Sequence, residues 1–164
     1  MPLHTFAERC INDSRFRYDI ALCLEALQAT AYPRLEITVV DNASTDGTPD
    51  LVATSFPTIR LIRSPDNLGF AGGCNLGLHN SQGNILLILN PDVRLRSDAI
   101  HALADVFTGD ARLGIVGAKL LYPDGETLQH AGGVVEYPLA TTRHHGYGEK
   151  DCGQYEEMAD VPFV

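Results

Sequence analysis

The sequence predicts an α/β fold built on a mostly parallel sheet with helices on both faces. Along much of the chain, the apolar residues switch between a strand-like run and the i, i+3, i+4, i+7 spacing of a helix. Strands that alternate with helices indicate parallel strands joined by crossover helices. The length of 164 residues suits one hydrophobic core and favours a single domain over residues 1–164.

The predicted elements follow one another in this alternating order. A helix from Ile20 to Ala31 precedes an apolar strand over 35–40. A short helix over 48–55 has Thr48 as its N-cap and Pro49 at its first position. The later elements are a strand over 59–63, a helix over 71–80, a strand over 85–89, a helix from Ser97 to Gly109, a strand over 113–117, a β-hairpin around 132–135 and a polar loop over 141–160.

The two ends of the chain depart from this pattern. A doubly wound domain usually opens on a buried strand, but residues 1–18 contain no clean apolar run. We therefore expect the first strand to be degenerate or missing. At the other end, residues 161–164 begin an apolar run where a further strand would start, so the chain is expected to be the front part of a longer domain.

Composition narrows the classes of partner. The net charge of -9 argues against nucleic acid, which needs clustered Lys and Arg. The N-terminus lacks a signal peptide, and no apolar run is long enough to cross a membrane, so a cytoplasmic chain is expected. Cys23 and Cys74 fall on apolar helical positions and are predicted to be buried free thiols. The spacing of His130, His144 and His145 fits no standard zinc site, and a polar loop explains them.

Two predicted strands end in polar groups that suit a ligand site. Asp41 ends the strand over 35–40, at the sheet edge where open α/β sheets bind small molecules. Its carboxylate is suited to accept hydrogen bonds from a nucleobase or a ribose, or alternatively it forms an Asx-turn. Asp92 follows Asn90 and Pro91 at the next strand end, where it is suited to hold Mg²⁺ or Mn²⁺, or else belongs to a turn that opens a helix.

A glycine-rich segment and several arginines are the remaining candidates. Residues 67–75 are small enough to let the backbone approach a ligand and to start a helix whose N–H groups face it. The segment matches neither a dinucleotide-binding fingerprint nor a P-loop. The cations expected near the site are Arg60, Arg63, Arg94 and Arg96.

The order of these motifs resembles a known family. The run VVDNASTDGT, then NLGFAGGCNLGL, then ILLILNPDV, then VGAKLLYPDG closely resembles family 2 glycosyltransferases, whose GT-A fold is a Rossmann-like nucleotide-diphospho-sugar transferase fold. The LNPDV variant and the segment LLYPDGETLQHAGG are similar to the rhamnosyltransferase-like subgroup. The resemblance extends from about Asp19 through Val164.

The resemblance implies a role for each matching residue. Asp41 would bind the nucleobase of a nucleotide-sugar donor, and Asn67 and Gly69 match the turn beside the nucleotide. Asn90 and Asp92 occupy the two ends of the DXD position, where Asp92 would hold a divalent cation, Mg²⁺ or Mn²⁺. The implied reaction is cation-assisted sugar transfer to a hydroxyl acceptor, with inversion. The family's general base is expected beyond residue 164, so no catalytic residue is assigned.

The resemblance also implies partners and a cellular setting. The acceptor would be a saccharide or a lipid-linked saccharide in cell-wall polysaccharide biosynthesis. The enzyme would work in the cytoplasm, at the inner face of the membrane where the acceptor is lipid-linked, and no oligomeric state is predicted. The alternative is a non-catalytic remnant of such an enzyme that binds a nucleotide or a partner protein.

Overall fold

The fold is taken from a computed structural model that describes residues 3–9 and 16–164. The elements of the first part of the chain are β1 (Leu3–Arg9), α1 (Phe16–Ala29), β2 (Leu35–Asn42), α2 (Thr48–Ser55), β3 (Arg60–Ser64), α3 (Gly69–His79), β4 (Ile85–Leu89) and α4 (Ala99–Gly109). Those of the last part are β5 (Leu120–Leu121), β6 (Leu128–His130), β7 (Gly133–Glu136) and β8 (Thr141–His144). The chain forms two compact units, residues 1–104 and 105–164.

The first unit is built on a four-stranded parallel sheet with the strand order β3-β2-β1-β4. β1 therefore lies inside the sheet, paired with β2 along its whole length and with β4 over Leu3–Ala7. The expectation that the first strand is degenerate or missing is wrong. Residues 3–9 lack the apolar run of most inner strands. Pairing on both sides nevertheless satisfies their backbone groups, whichever side chains they carry.

Helices cover both faces of this sheet, as predicted. Val39 and Val40 point to opposite faces because successive strand residues alternate. Val39 belongs to the larger core cluster, in which Leu24 and Leu27 of α1 are fully buried. Burying each of these leucines contributes roughly 1.5–3 kcal/mol. Val40 packs with Cys74 of α3 in a second cluster on the other face.

The larger cluster also fixes α2 and α4 on the α1 face of the sheet. Val52 of α2 and Ile100 of α4 are buried in it, together with Leu89 at the end of β4. No helix within the described residues is long and apolar enough to cross a membrane.

The starts of α2, α3 and α4 differ in detail from the prediction. α2 has the predicted bounds, but Gly47 in the left-handed region (φ 78°) takes the N-cap position in place of Thr48, so Pro49 is the second helical residue and not the first. α3 begins at Gly69, two residues earlier than expected, and α4 begins at Ala99, two residues after Ser97. These shifts are of the size expected at helix ends, where backbone hydrogen bonding frays.

The second unit consists of two small antiparallel sheets, β5-β6 and β7-β8. The β7-β8 pair confirms the predicted C-terminal hairpin. Two expectations here are wrong. Residues 113–117 form no strand, since Gly114 and Gly117 interrupt the apolar run and glycine weakens strands. Thr141–His144 is a strand rather than a loop, because backbone pairing with β7 holds its four exposed residues extended.

Candidate functional site

The carboxyl ends of β2 and β4 bring the predicted polar groups to one edge of the sheet. Ala7 of β1 pairs with Val39 on one side and with Leu89 on the other, so these two residues lie at the same height. Two strand spacings, about 10 Å, separate them. Asp41 lies two residues beyond Val39, and the Asn90–Asp92 segment follows Leu89 directly. The register thus confirms that both strand ends face the same edge.

Asp41 is a buried carboxylate, with 5% of its surface exposed. Its Oδ1 accepts a hydrogen bond of 3.3 Å from the backbone N–H of Ser44, which is the turn interaction that the sequence left open. Ala43 adopts a positive φ of 62° within this turn. No other described residue donates a hydrogen bond to the second carboxylate oxygen, Oδ2. A buried carboxylate normally has more than one donor.

Asn42 joins the end of β2 to the start of α3. Its Oδ1 accepts a 2.8 Å hydrogen bond from the N–H of Leu68, and its Nδ2 donates to the carbonyl of Gly69 at 3.1 Å. The side chain of Asn42 is buried, with 3% of the residue exposed. Sequence reasoning missed this residue. The one sign of its role in the sequence was an amide side chain directly after Asp41. The neighbouring sequence does not identify Leu68 and Gly69 as its backbone partners.

The two residues predicted to lie beside a nucleotide, Asn67 and Gly69, form the entry to α3. The Asn67 Oδ1 accepts a 2.9 Å hydrogen bond from the N–H of Gly69. Gly69 has a φ of +69°, a conformation that other residues rarely adopt. At Gly72 a Cβ would lie 2.6 Å from the Cβ of Leu68, so glycine is also needed for this close approach. The structure places this glycine-rich start beside the end of β2.

The segment after β4 is a tight turn. The N–H of Val93 donates to the carbonyl of Asn90 at 3.2 Å, which closes the turn with Pro91 buried inside it. Asn90 and Asp92 are both exposed. The geometry is therefore the turn that the sequence offered as the alternative, and it leaves the Asp92 carboxylate open to solvent.

Asp92 also has an electrostatic effect on α1. Burial, followed by the negative charge of Asp92, raises the pKa of the Cys23 thiol to about 11. Within the part of the chain that the structure describes, no group of three or more His, Cys, Asp or Glu side chains is arranged to hold a metal ion. A cation at Asp92 would therefore need ligands from the substrate and from water.

Of the four arginines predicted near this edge, Arg63 lies in register with Asp41 on the neighbouring strand, whereas Arg60 lies away from it. Arg60 is the first residue of β3 and lies at the amino ends of the parallel strands, where it donates hydrogen bonds to the carbonyl and Oδ1 of Asn80 at 2.8 and 3.0 Å. Its predicted place near the site is wrong. Arg63 pairs with Asp50 at 2.9 Å. Such exposed pairs contribute little stability. Arg96 pairs with Asp98 at 3.3 Å, and Arg94 is exposed.

Comparison with known proteins decides the family. The sequence matches the model for glycosyl transferase family 2 over residues 17–154. The chain belongs to this family. A relative named N-acetylglucosaminyl-diphospho-decaprenol L-rhamnosyltransferase, from Mycobacterium tuberculosis, is 31% identical over 114 residues, which cover 63% of this chain and 37% of the relative. This relative confirms the resemblance to the rhamnosyltransferase-like subgroup.

Two further proteins are similar to this glycosyltransferase chain. The succinoglycan biosynthesis protein ExoO of Rhizobium meliloti is 29% identical, over 67% of this chain and 32% of its own length. The mannosyltransferase PcManGT of Pyrobaculum calidifontis, solved with GDP-Man and Mn²⁺, is 25% identical, with a TM-score of 0.62 over 74% of this chain and 36% of its own. The chain thus spans about a third of each relative's length. The predicted GT-A fold is confirmed.

The second unit of this glycosyltransferase chain contains a contact that the sequence did not predict. His130 and His144 were attributed to a polar loop, but they lie on β6 and β8, and their Nδ1 atoms are 2.6 Å apart. The prediction that Cys23 and Cys74 are buried thiols is confirmed. Cys152 is free and exposed.

Proposed function

We propose that this chain binds a nucleotide-sugar donor at the carboxyl edge of its parallel sheet. The enzyme that contains it would then transfer the sugar to a hydroxyl acceptor, with inversion at the anomeric carbon. The observation that carries the proposal is the buried Asp41 carboxylate at that edge, which has one oxygen committed to Ser44 and the other without a donor among the described residues.

Asp41 suits a nucleobase because of this asymmetry. The Ser44 hydrogen bond fixes the orientation of the carboxylate, and Oδ2 remains as an acceptor. A base or ribose that donates an N–H or O–H to Oδ2 would satisfy a buried charge that is otherwise under-bonded. The Asn42 clamp would hold the start of α3 in place beside the same ligand.

Asp92 fits a divalent cation of the Mg²⁺ or Mn²⁺ class. These ions are held by one or two protein carboxylates together with substrate phosphates and water, and Asp92 offers one exposed carboxylate on a turn closed by a backbone hydrogen bond. Asn90 is neutral, so most of the ion's charge would be balanced by the donor diphosphate. The ion would act as a Lewis acid on the departing nucleoside diphosphate. The solved mannosyltransferase with GDP-Man and Mn²⁺ supports this assignment.

The acceptor proposal rests on the named relatives. The mycobacterial rhamnosyltransferase is named for a decaprenol-diphosphate-linked acceptor, and ExoO for succinoglycan biosynthesis. We therefore propose a saccharide or lipid-linked saccharide acceptor, and a place in the cytoplasm at the inner face of the membrane. Inverting transfer needs a base that takes the proton of the acceptor hydroxyl. We assign that role to none of the described residues.

The test is calorimetric titration of the chain with UDP, dTDP and GDP, each with Mn²⁺ and with EDTA. We expect one nucleotide to bind in the presence of Mn²⁺, with binding lost in Asp92→Ala and weakened in Asp41→Ala. Asp98→Ala is the matched control, because Asp98 is an exposed carboxylate six residues further along that pairs with Arg96. Its binding should equal that of the unmodified chain.

The outcomes separate two functions. Binding that requires Mn²⁺ and Asp92 would establish a donor site, and the preferred base would narrow the sugar class. Cation-independent binding that tolerates Asp92→Ala would favour a nucleotide-binding remnant without transferase chemistry. A chain with a cooperative thermal transition that binds none of the three nucleotides would refute the donor site.

A further inference from the structure

His130 and His144 are brought together by the backbone of the second unit. His130 ends β6 and His144 ends β8, so the two residues belong to different two-stranded sheets. Next to them, the N–H of His145 donates to the carbonyl of Gly132 at 2.8 Å, which holds the two segments side by side. The imidazole rings meet edge to face, with centroids 4.7 Å apart.

The atoms that meet are two nitrogens of the same kind. Nδ1 of His130 and Nδ1 of His144 are 2.6 Å apart. An imidazole nitrogen either carries a proton or presents a lone pair, so this pair is stable by itself only when one nitrogen is protonated and the other is not. Two bare nitrogens would repel each other, and a bound cation would remove that repulsion.

We propose that His130 and His144 form a two-histidine site for a divalent transition-metal ion of the zinc–nickel class, with both Nδ1 atoms as ligands. Neutral imidazole is the preferred nitrogen ligand of these ions. Because the described residues offer no third ligand, the remaining positions would be open to water or to a small oxygen ligand.

The present geometry is close to what such an ion needs. Zinc lies about 2.0–2.1 Å from a histidine nitrogen, so two ligands at a tetrahedral angle would be roughly 3.3 Å apart. The nitrogens would therefore have to separate by less than about 1 Å. His144 is exposed and can make this adjustment by rotating its ring.

An aromatic side chain lies beside the pair. The Phe163 ring lies 6.5 Å from His130 and 5.8 Å from His144. An apolar ring beside a metal site restricts water and steadies the ligands.

Phe163 is held there by a glycine. The N–H of Gly133 donates to the carbonyl of Phe163 at 3.0 Å, and a Cβ at Gly133 would overlap the Phe163 ring. The aromatic side of the pair is therefore fixed by backbone contact. His145 turns away, since its ring stacks toward Tyr155 with centroids 6.1 Å apart. His145 is adjacent in sequence but is no ligand, which makes it the matched control.

The test is calorimetric titration of the full chain with NiCl₂ in a non-chelating buffer at neutral pH, for the unmodified protein, His130→Gln, His144→Gln and His145→Gln. We expect one Ni²⁺ per chain, and a Kd at least about tenfold higher in each of the first two variants. His145→Gln should bind as the unmodified chain does. A Cys152→Ser background removes the exposed thiol as a competing ligand.

A second measurement keeps the proposal falsifiable if a variant fails to fold. Nitrogen-15 spectra of the histidine rings in the unmodified chain, recorded with and without Zn²⁺, should show Nδ1 of His130 and His144 bound to metal and their Nε2 atoms protonated. The proposal is overturned if the folded chain shows no saturable Ni²⁺ binding. It is also overturned if binding survives both substitutions, or if Zn²⁺ leaves these two rings unchanged.

Discussion

Replacing Asn42 by alanine tests whether the end of β2 holds the start of α3 in place. The substitution removes the hydrogen bonds to the N–H of Leu68 and to the carbonyl of Gly69. Each such bond contributes about 0.5–1.5 kcal/mol net, so the pair is worth about 2 kcal/mol. For a chain of this size that lowers the melting temperature by roughly 4–8 °C. Thermal unfolding followed by circular dichroism measures the shift.

Hydrogen exchange locates the effect at single amides. In Asn42→Ala the N–H of Leu68 loses its acceptor and should exchange faster. In Asn67→Ala, the amide that loses its acceptor is that of Gly69. Because Asn67 is exposed and makes one such bond, its substitution should cost only about 0.5–1 kcal/mol. The two variants should therefore differ both in the loss of stability and in the amide whose exchange is accelerated.

Asn42→Asp separates the two bonds of the clamp. The aspartate keeps an oxygen for the N–H of Leu68 but places a second oxygen opposite the carbonyl of Gly69, which is repulsive. The Leu68 amide should stay protected while the melting temperature falls. If Asn42→Ala has the melting temperature of the unmodified chain and the same exchange rate at the Leu68 amide, the Asn42 side chain does not stabilise the start of α3 and the prediction is refuted.

Three further predictions concern single positions. Gly69→Ala should lower the free energy of unfolding in urea by about 1–2 kcal/mol, because residue 69 has a φ of +69°. Gly114→Ala, where a Cβ would meet open space, should change it by less than about 0.5 kcal/mol. Equal effects of the two substitutions would contradict the backbone explanation. Iodoacetamide at pH 8 should label Cys152 and spare Cys23, whose thiol is buried and has a pKa of about 11. Equal labelling rates of the two cysteines, measured by peptide mass spectrometry, would contradict this prediction. Burial lowers the pKa of His130, so as the pH falls the unfolded chain takes up a proton at this ring before the folded chain does. The free energy of unfolding should therefore be highest above about pH 6.5 and decline as the pH falls toward the pKa of the folded chain. Thermal melts between pH 7.5 and 5.5 should show a shallower decline in His130→Gln, and an unchanged slope would exclude this histidine as the cause.

Local sequence patterns were enough to predict those strands whose own residues determine that they form. β2 and β4 are apolar runs that end in polar turns, and both were predicted within a residue or two. β1 and β8 were missed, since neither has such a pattern. β1 is held by pairing with strands that begin at Leu35 and Ile85, and β8 is exposed along its length and held by its backbone bonds to β7. That information lies in the partner strands, outside the segments themselves.

The same distinction applies to the site. Placing Asp41 and Asp92 at one edge needed only the rule that parallel strands end on the same side. Arg60 was misplaced because a residue that opens a parallel strand lies at the opposite edge from one that closes it. The contact between Asn42 and α3 joins residues 26 and 27 positions apart, and the histidine contact joins residues 14 apart. Both depend on a three-dimensional register that no spacing rule conveys.

The two proposed ion sites should prefer different metals, and this gives a reciprocal test. A carboxylate with phosphates suits Mg²⁺ and Mn²⁺, whereas two imidazoles bind Ni²⁺ or Zn²⁺ far better than Mn²⁺, which is the weakest binder of its series. Asp92→Ala should therefore abolish Mn²⁺-dependent nucleotide binding and leave the Ni²⁺ isotherm unchanged. His144→Gln should do the reverse. A single substitution that removes both binding events, in a chain whose melting curve is unaltered, would contradict the assignment of separate ligand sets. Nucleotide titrations in Mg²⁺ alone report on Asp92 without occupying the histidine pair.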